Sequence, residues 1–104
     1  MRRGEIWWAQ LAGPAARRPV ILLTRNTAYA VRTSVTVAPL TTTIRDSLAE
    51  ICLGSQHGLP GEYVVSLDEI RTIRKERLTR LLTTLSPEVM VQVDQALKFA
   101  LDLH

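Results

Sequence analysis

The feature that most constrains the fold is the unbroken aliphatic run Val20-Ile21-Leu22-Leu23. It stands behind Arg17-Arg18-Pro19 and is closed by the polar residues Thr24, Arg25 and Asn26. Neighbouring side chains on a strand point to opposite faces, so a run with no polar position reads as a strand buried on both sides. The pattern predicts a strand over Val20 to Thr24 with the two arginines at its mouth. Pro19 fixes its own φ and drives Arg18 towards an extended conformation, so that guanidinium is presented from a stiff base.

The remaining strands follow from β-branched and aromatic runs between turn residues. Residues 5–11 read as a first strand, 33–40 as a third, 48–53 as a fourth and 62–67 as a fifth. Residues 70–73 continue the fifth after a bend at Asp68-Glu69. A single helical turn is expected over 75–78 and a last strand near 80–84. Trp7 and Trp8 are adjacent, so one is expected in the core and the other at a surface, either partly buried or serving as a contact. Pro39 cannot donate to a ladder, which predicts that the third strand ends, bulges or lies at an edge there. Cys52 reads as a small core hydrophobe. Ala12 to Ala16 and Gly54 to Gly61 are turn-rich loops.

The clearest helix is the last element. Ser86 is a good N-cap, Pro87 suits the first helical position, and Val89, Val93, Ala96, Leu97 and Ala100 recur at helical spacing with Met90 and Leu101 beside them. Val91 and Phe99 break the stripe, and at least one is expected to touch a partner chain. Several short strands followed by one packed helix make a small barrel.

With 104 residues and an apolar fraction of 46%, a single domain over 1–104 with one core is expected. No apolar stretch approaches the length of a membrane span. No apolar segment follows the charges of Met1-Arg2-Arg3-Gly4-Glu5, so a cytoplasmic location without membrane contact is expected. The lone Cys52 agrees with a reducing compartment.

Charge is uneven along the chain. Residues 1–45 carry seven arginines against one acid, Glu5, a net of +6, whereas residues 46–104 carry six basic and nine acidic side chains, a net of −3. Arginine's planar fork of donors suits phosphate. Polyanion binding and plain solvated surface both account for this asymmetry.

The chain has one cysteine, two distant histidines and no spaced carboxylate motif, so neither a metal site nor a Gly-rich phosphate loop is expected. What remains is a mechanism without cofactor. If the second and third strands are antiparallel neighbours, the start of one and the end of the other lie together. Arg18 and Thr41 then converge, and an arginine with a hydroxyl can hold a phosphate. By pattern alone, Arg18 serves equally well as a strand cap in surface ion pairs.

At this point five segments resemble one family. They are Arg3-Gly4-Glu5-Ile6-Trp7, Arg18-Pro19-Val20-Ile21-Leu22, Val37-Ala38-Pro39-Leu40-Thr41-Thr42, Glu69-Ile70-Arg71-Thr72-Ile73 and Leu85-Ser86-Pro87-Glu88 with the helix behind it. In this order, over nearly the whole chain, they resemble the MazF/PemK toxins. The resemblance implies a mainly β fold with one helix, a small SH3-like β-barrel with a C-terminal helix, and a homodimer. It implies an endoribonuclease that cuts single-stranded RNA at short sequences without metal or cofactor, restrained by a cognate antitoxin with an acidic tail.

The catalytic positions carried over are Arg18 and Thr41, acting as the RNA 2′-OH attacks the adjacent phosphorus to give a 2′,3′-cyclic phosphate and a 5′-OH. Arg18 would stabilise the phosphorane and protonate the leaving oxygen, and Thr41 would hold a phosphate oxygen. Arg17, Trp8, Thr42 and Arg45 are the expected RNA contacts. The base for the 2′-OH stays open, because arginine keeps its proton. His57 is a candidate, set against the usual solvated loop histidine.

The chain also departs from the family. The loop from Ala12 to Arg17 is short, Gln10 replaces Asp or Asn, Tyr63 replaces Ser, Glu69 replaces Gln and Arg74 replaces Asp. Arg71, Arg74, Lys75, Arg77 and Arg80 interleave with Asp68, Glu69 and Glu76, which reads as a self-paired surface. Two rivals stay open: a similarly folded toxin that binds DNA gyrase without catalysis, and a plain RNA-binding module.

Overall fold

A computed structural model describes residues 1–12 and 16–104. The described elements are β1 (Glu5–Gln10), β2 (Arg17–Leu22), β3 (Ser34–Thr41), β4 (Glu50–Leu53), β5 (Tyr63–Ser66), β6 (Arg71–Arg74), β7 (Leu78–Thr84) and α1 (Pro87–Leu101). The strands pair antiparallel in the order β4-β5-β3-β2-β1-β7, and β6 also pairs with β3. This mainly β architecture with one C-terminal helix is barrel-like, although the sheet does not close. No described helix is long and apolar enough to cross a membrane.

The aliphatic run of β2 divides two apolar clusters. Ile21 and Leu23 join Ile6, Leu40, Val65 and the helix residues Val93 and Ala96, while Val20 and Leu22 join Ala9, Tyr29, Val35 and Val37. Alternation along one strand thus feeds both cores. All four run residues are buried as expected. The strand begins earlier than Val20, because Arg17 and Arg18 already pair with Gln10 and Ala9 of β1. The arginines are therefore part of the ladder.

Pro39 is a correction. It lies inside β3, buried, opposite Val20 of β2. On the other flank, β6 pairs as far as Val37 and β5 begins at Leu40. Ala38 and Pro39 fall in the handover between the two neighbours, where a missing N–H costs the sheet no bond. Cys52 is a second correction, since it is exposed on β4, with Ile51 and Leu53 turned towards the core in its place. β4 starts at Glu50, two residues later than expected. β6 pairs with β3 after a turn and does not extend β5. Of the loop predicted over 12–16, residues 13–15 lie outside the described residues.

The start of the chain is tied down by Arg3 and Gly4. Arg3 Nε donates to the Leu23 carbonyl at 2.9 Å and its guanidinium meets Asp94 of α1 at 2.7 Å. Gly4 has φ +93° and joins two strands, its N–H reaching the Leu22 carbonyl and its carbonyl accepting from Leu85. A Cβ there would also stand 3.1 Å from Met90 Sδ. Positive φ and close packing both require glycine at this position.

Helix α1 starts as its sequence indicates: the Val89 N–H donates to Ser86 Oγ at 3.3 Å and Pro87 opens the first turn. Val93 and Ala96 are its buried residues, whereas Val91 and Phe99 are 55% and 56% exposed and thus available to another surface.

Ser86→Ala should lower stability by about 1 kcal/mol and Tm by about 4–8 °C, measured by thermal denaturation. An unchanged Tm would mean that Pro87 alone sets the helix start. Burial pushes the Tyr29 phenol above its ordinary value of 10.0; Thr24 stands close enough to offset part of that rise without giving the hydroxyl a regular hydrogen bond. Above about pH 10 the unfolded phenol loses its proton first, so stability falls as pH rises further. Tyr29→Phe should flatten this alkaline loss in urea titrations at successive pH values.

Candidate active site at the ends of β2 and β3

The antiparallel pairing of β2 and β3 runs Leu22 to Val37, Ile21 to Ala38 and Val20 to Pro39. Continued by two residues, this register sets Arg18 beside Thr41. A cavity of about 230 Å³ opens there, lined by Trp8, Arg17, Arg18, Pro19, Leu40, Thr41, Thr42 and Tyr63. The expected convergence of Arg18 and Thr41 is present.

Each lining group has a local cause. Arg17 lies diagonally across the ladder from Trp8, since Trp8 pairs with Pro19. Diagonal neighbours on one face are within reach of long side chains. Its guanidinium carbon accordingly sits 4.5 Å from the Trp8 ring centroid. Such a stack both holds the arginine and keeps its charge at the rim. Arg18, one residue further, approaches from the other side of the strand. It is exposed, and its side chain has no ion pair or hydrogen bond among the described residues, so the reading of Arg18 as an ion-paired strand cap has no support here.

Thr41 ends β3. Its Oγ1 accepts a long hydrogen bond from the Thr43 N–H at 3.4 Å, which favours one orientation of the oxygen at the strand exit. Used as an acceptor, the hydroxyl still has its own proton to donate. A hydroxyl with a proton to donate and a guanidinium unpaired among the described residues, lining one cavity, have the donors that a phosphate-sized anion accepts from.

Other expected residues are placed elsewhere. Thr42 lines the cavity, but Arg45 does not: its N–H donates to both carboxylate oxygens of Glu50 at 3.1 Å, and its side chain is on the exposed loop before β4. His57 is also outside. Its Nδ1 accepts from the Gly54 N–H at 3.0 Å and its carbonyl accepts from the Thr83 hydroxyl at 2.9 Å, so it fixes the loop between β4 and β5. Glu69 is exposed and not among the lining residues, and Arg74 pairs with Glu76 at 3.1 Å.

Two residues were missed by sequence reasoning as parts of a site. Tyr63 stood out only as a departure from the family pattern, yet its ring is a wall of the cavity. Glu50 gathers the Arg45 and Ser47 N–H groups and shapes the chain that leaves Thr41. A single carboxylate at the start of a strand carries no sequence signal for that task. Among the described residues no group of three His, Cys, Asp or Glu side chains is placed to hold a metal.

Comparison with known proteins bears on the same surface. The family model described as "PemK-like, MazF-like toxin of type II toxin-antitoxin system" matches residues 2–101. The probable endoribonuclease MazF2 of Mycobacterium tuberculosis strain H37Rv is 36% identical over 99 residues, covering 94% of this chain and 95% of its own. The structure of the Mycobacterium tuberculosis toxin MazF-mt6 superposes with a TM-score of 0.87 at 36% identity, covering 96% of this chain and 98% of that one. A mycobacterial endoribonuclease solved in complex with its cognate antitoxin gives a TM-score of 0.88 at 27% identity, covering 100% and 97%. Sequence and fold agree along almost the full length, and the chain belongs to the PemK/MazF family of toxins of type II toxin-antitoxin systems.

Proposed function

We propose that this chain is a metal-independent endoribonuclease toxin that cuts single-stranded RNA within one domain spanning 1–104. The observation that carries this reading is the Arg18 guanidinium, unpaired among the described residues, sharing a cavity with the Thr41 hydroxyl. Two of the relatives named above are described as a probable endoribonuclease and an endoribonuclease, and the cavity offers donors suited to such an activity.

In the proposed reaction the ribose 2′-oxygen attacks the adjacent phosphorus and the P–O5′ bond breaks; the 2′-OH proton passes to water, and O5′ takes a proton from the Arg18 guanidinium, which solvent reprotonates. The products are a 2′,3′-cyclic phosphate and a 5′-OH. Charge on the non-bridging oxygens grows in the pentavalent transition state. Arg18 meets it with charge-assisted hydrogen bonds and directs an N–H at the leaving O5′, while the Thr41 hydroxyl donates to a non-bridging oxygen. The described lining residues include neither carboxylate nor imidazole.

Arg17, Thr42 and Trp8 extend the positive, partly aromatic rim along which the RNA strand lies. The same rim suits the acidic tail of a cognate antitoxin, in keeping with the antitoxin complex of the mycobacterial neighbour. A second copy of the chain would cover exposed Val91 and Phe99 in a homodimer.

Arg18→Ala should reduce cleavage of a long single-stranded RNA in EDTA by at least about 10²-fold without lowering Tm, because the side chain is exposed. Thr41→Val should cost about 10- to 100-fold, the range for a hydrogen bond to a charged group. Product ends are read by phosphatase and kinase labelling. Intact RNA from the unaltered chain would leave only a binding role, and 3′-OH ends would exclude the proposed attack by the 2′-oxygen.

A further inference from the structure

The cavity has two aromatic walls, and they are in different states. The Trp8 face is covered by the Arg17 guanidinium at 4.5 Å. The Tyr63 side chain, half-buried at the start of β5, packs against the first apolar cluster, and among the described residues it has neither a hydrogen bond nor an aromatic or cation–π partner. An aromatic ring held in a ladder, beside two arginines and open to a cavity, is an arrangement that takes a nucleobase, since every base offers a π-face.

The ladder also fixes where that ring stands relative to the phosphate site. Tyr63 pairs with Leu53 of β4, and the next residue, Val64, pairs with Thr41 of β3. Alternation along β5 turns Tyr63 to the face opposite Val64 and Thr41, the face it shares with Leu40, and the two faces meet at the cavity that Leu40, Thr41 and Tyr63 line together. A base on Tyr63 belongs to a nucleotide adjoining the phosphate held by Arg18 and Thr41.

We infer that Tyr63 is the base-stacking residue of this site, holding the nucleobase next to the scissile phosphate through its ring and not its hydroxyl. This rests on the ribonuclease reading for its meaning in catalysis, but stacking can be measured without cleavage. The ring accepts any base face and so favours a single-stranded substrate, whose bases can be splayed out, over a duplex.

The test uses a short single-stranded RNA of mixed sequence with 2′-fluoro riboses throughout, which removes the attacking hydroxyl, and a set in which one base at a time is replaced by an abasic site. Binding to the full chain is followed by fluorescence anisotropy. With the unaltered chain, an abasic site at one position should weaken binding by about 5- to 150-fold, the value of one stacked base. Tyr63→Leu should weaken binding of the intact probe by a similar factor and no longer respond to that abasic site. Tyr63→Phe should match the unaltered chain.

The inference is overturned if Tyr63→Leu binds as tightly as the unaltered chain, if Tyr63→Phe falls with it, or if sensitivity to the abasic site survives in Tyr63→Leu. If Leu unfolds the chain in a thermal melt, Tyr63→Trp decides instead: binding at least as tight as the unaltered chain supports a stacking ring, and weaker binding counts against it. Unmodified RNA left intact while the probe binds removes the ribonuclease reading and leaves the stacking assignment standing. Failure of the probe to bind overturns both.

Discussion

The structure depends on β2 having no face to spare. Val20 and Leu22 fill one apolar cluster while Ile21 and Leu23 fill the other, and β1 and β3 occupy both flanks. A strand held in this way cannot slip by one residue without exchanging the occupants of the two cores. The site inherits that rigidity, because Arg17 and Arg18 are the first two residues of the same strand. Register at the apolar end fixes the guanidinium groups at the polar end.

Much of this was legible in the residues. A four-residue aliphatic run can only be satisfied between two apolar layers, and the Ser86-Pro87 start with its apolar stripe specifies a helix by local chemistry alone. The convergence of Arg18 and Thr41 needed one topological assumption, that the two strands are antiparallel neighbours. What escaped reading depended on neighbours distant in sequence. Pro39 looked like a strand end because its tolerance depends on where β6 gives way to β5. Cys52 looked apolar by type, and only the pairing of β4 shows which of Ile51, Cys52 and Leu53 turns outward.

The candidate site shows the same division. Arginine before Pro-Val and threonine after a β-branched run are local patterns, and resemblance to the toxin family adds roles to them. Tyr63 could not be placed that way, since its position on the cavity wall follows from the β3 and β5 ladder. Arg45 is the converse: charge and proximity in sequence to Thr41 suggested a contact, but the Glu50 carboxylate draws its backbone into a loop whose side chain is outside the cavity. Basic residues near a site become part of it only when the backbone aims them there.

The link from Arg3 to Leu23 and Asp94 has a consequence for how the two ends of the chain are joined. Arg3 bonds the carbonyl just beyond the end of β2 and, through the same guanidinium, a carboxylate on α1. The strand that presents Arg18 at one end is thus clamped to the helix at the other. One arginine near the start of the sequence thus ties together a strand from the first quarter of the chain and a helix from its last, so losing that side chain would free both attachments at once.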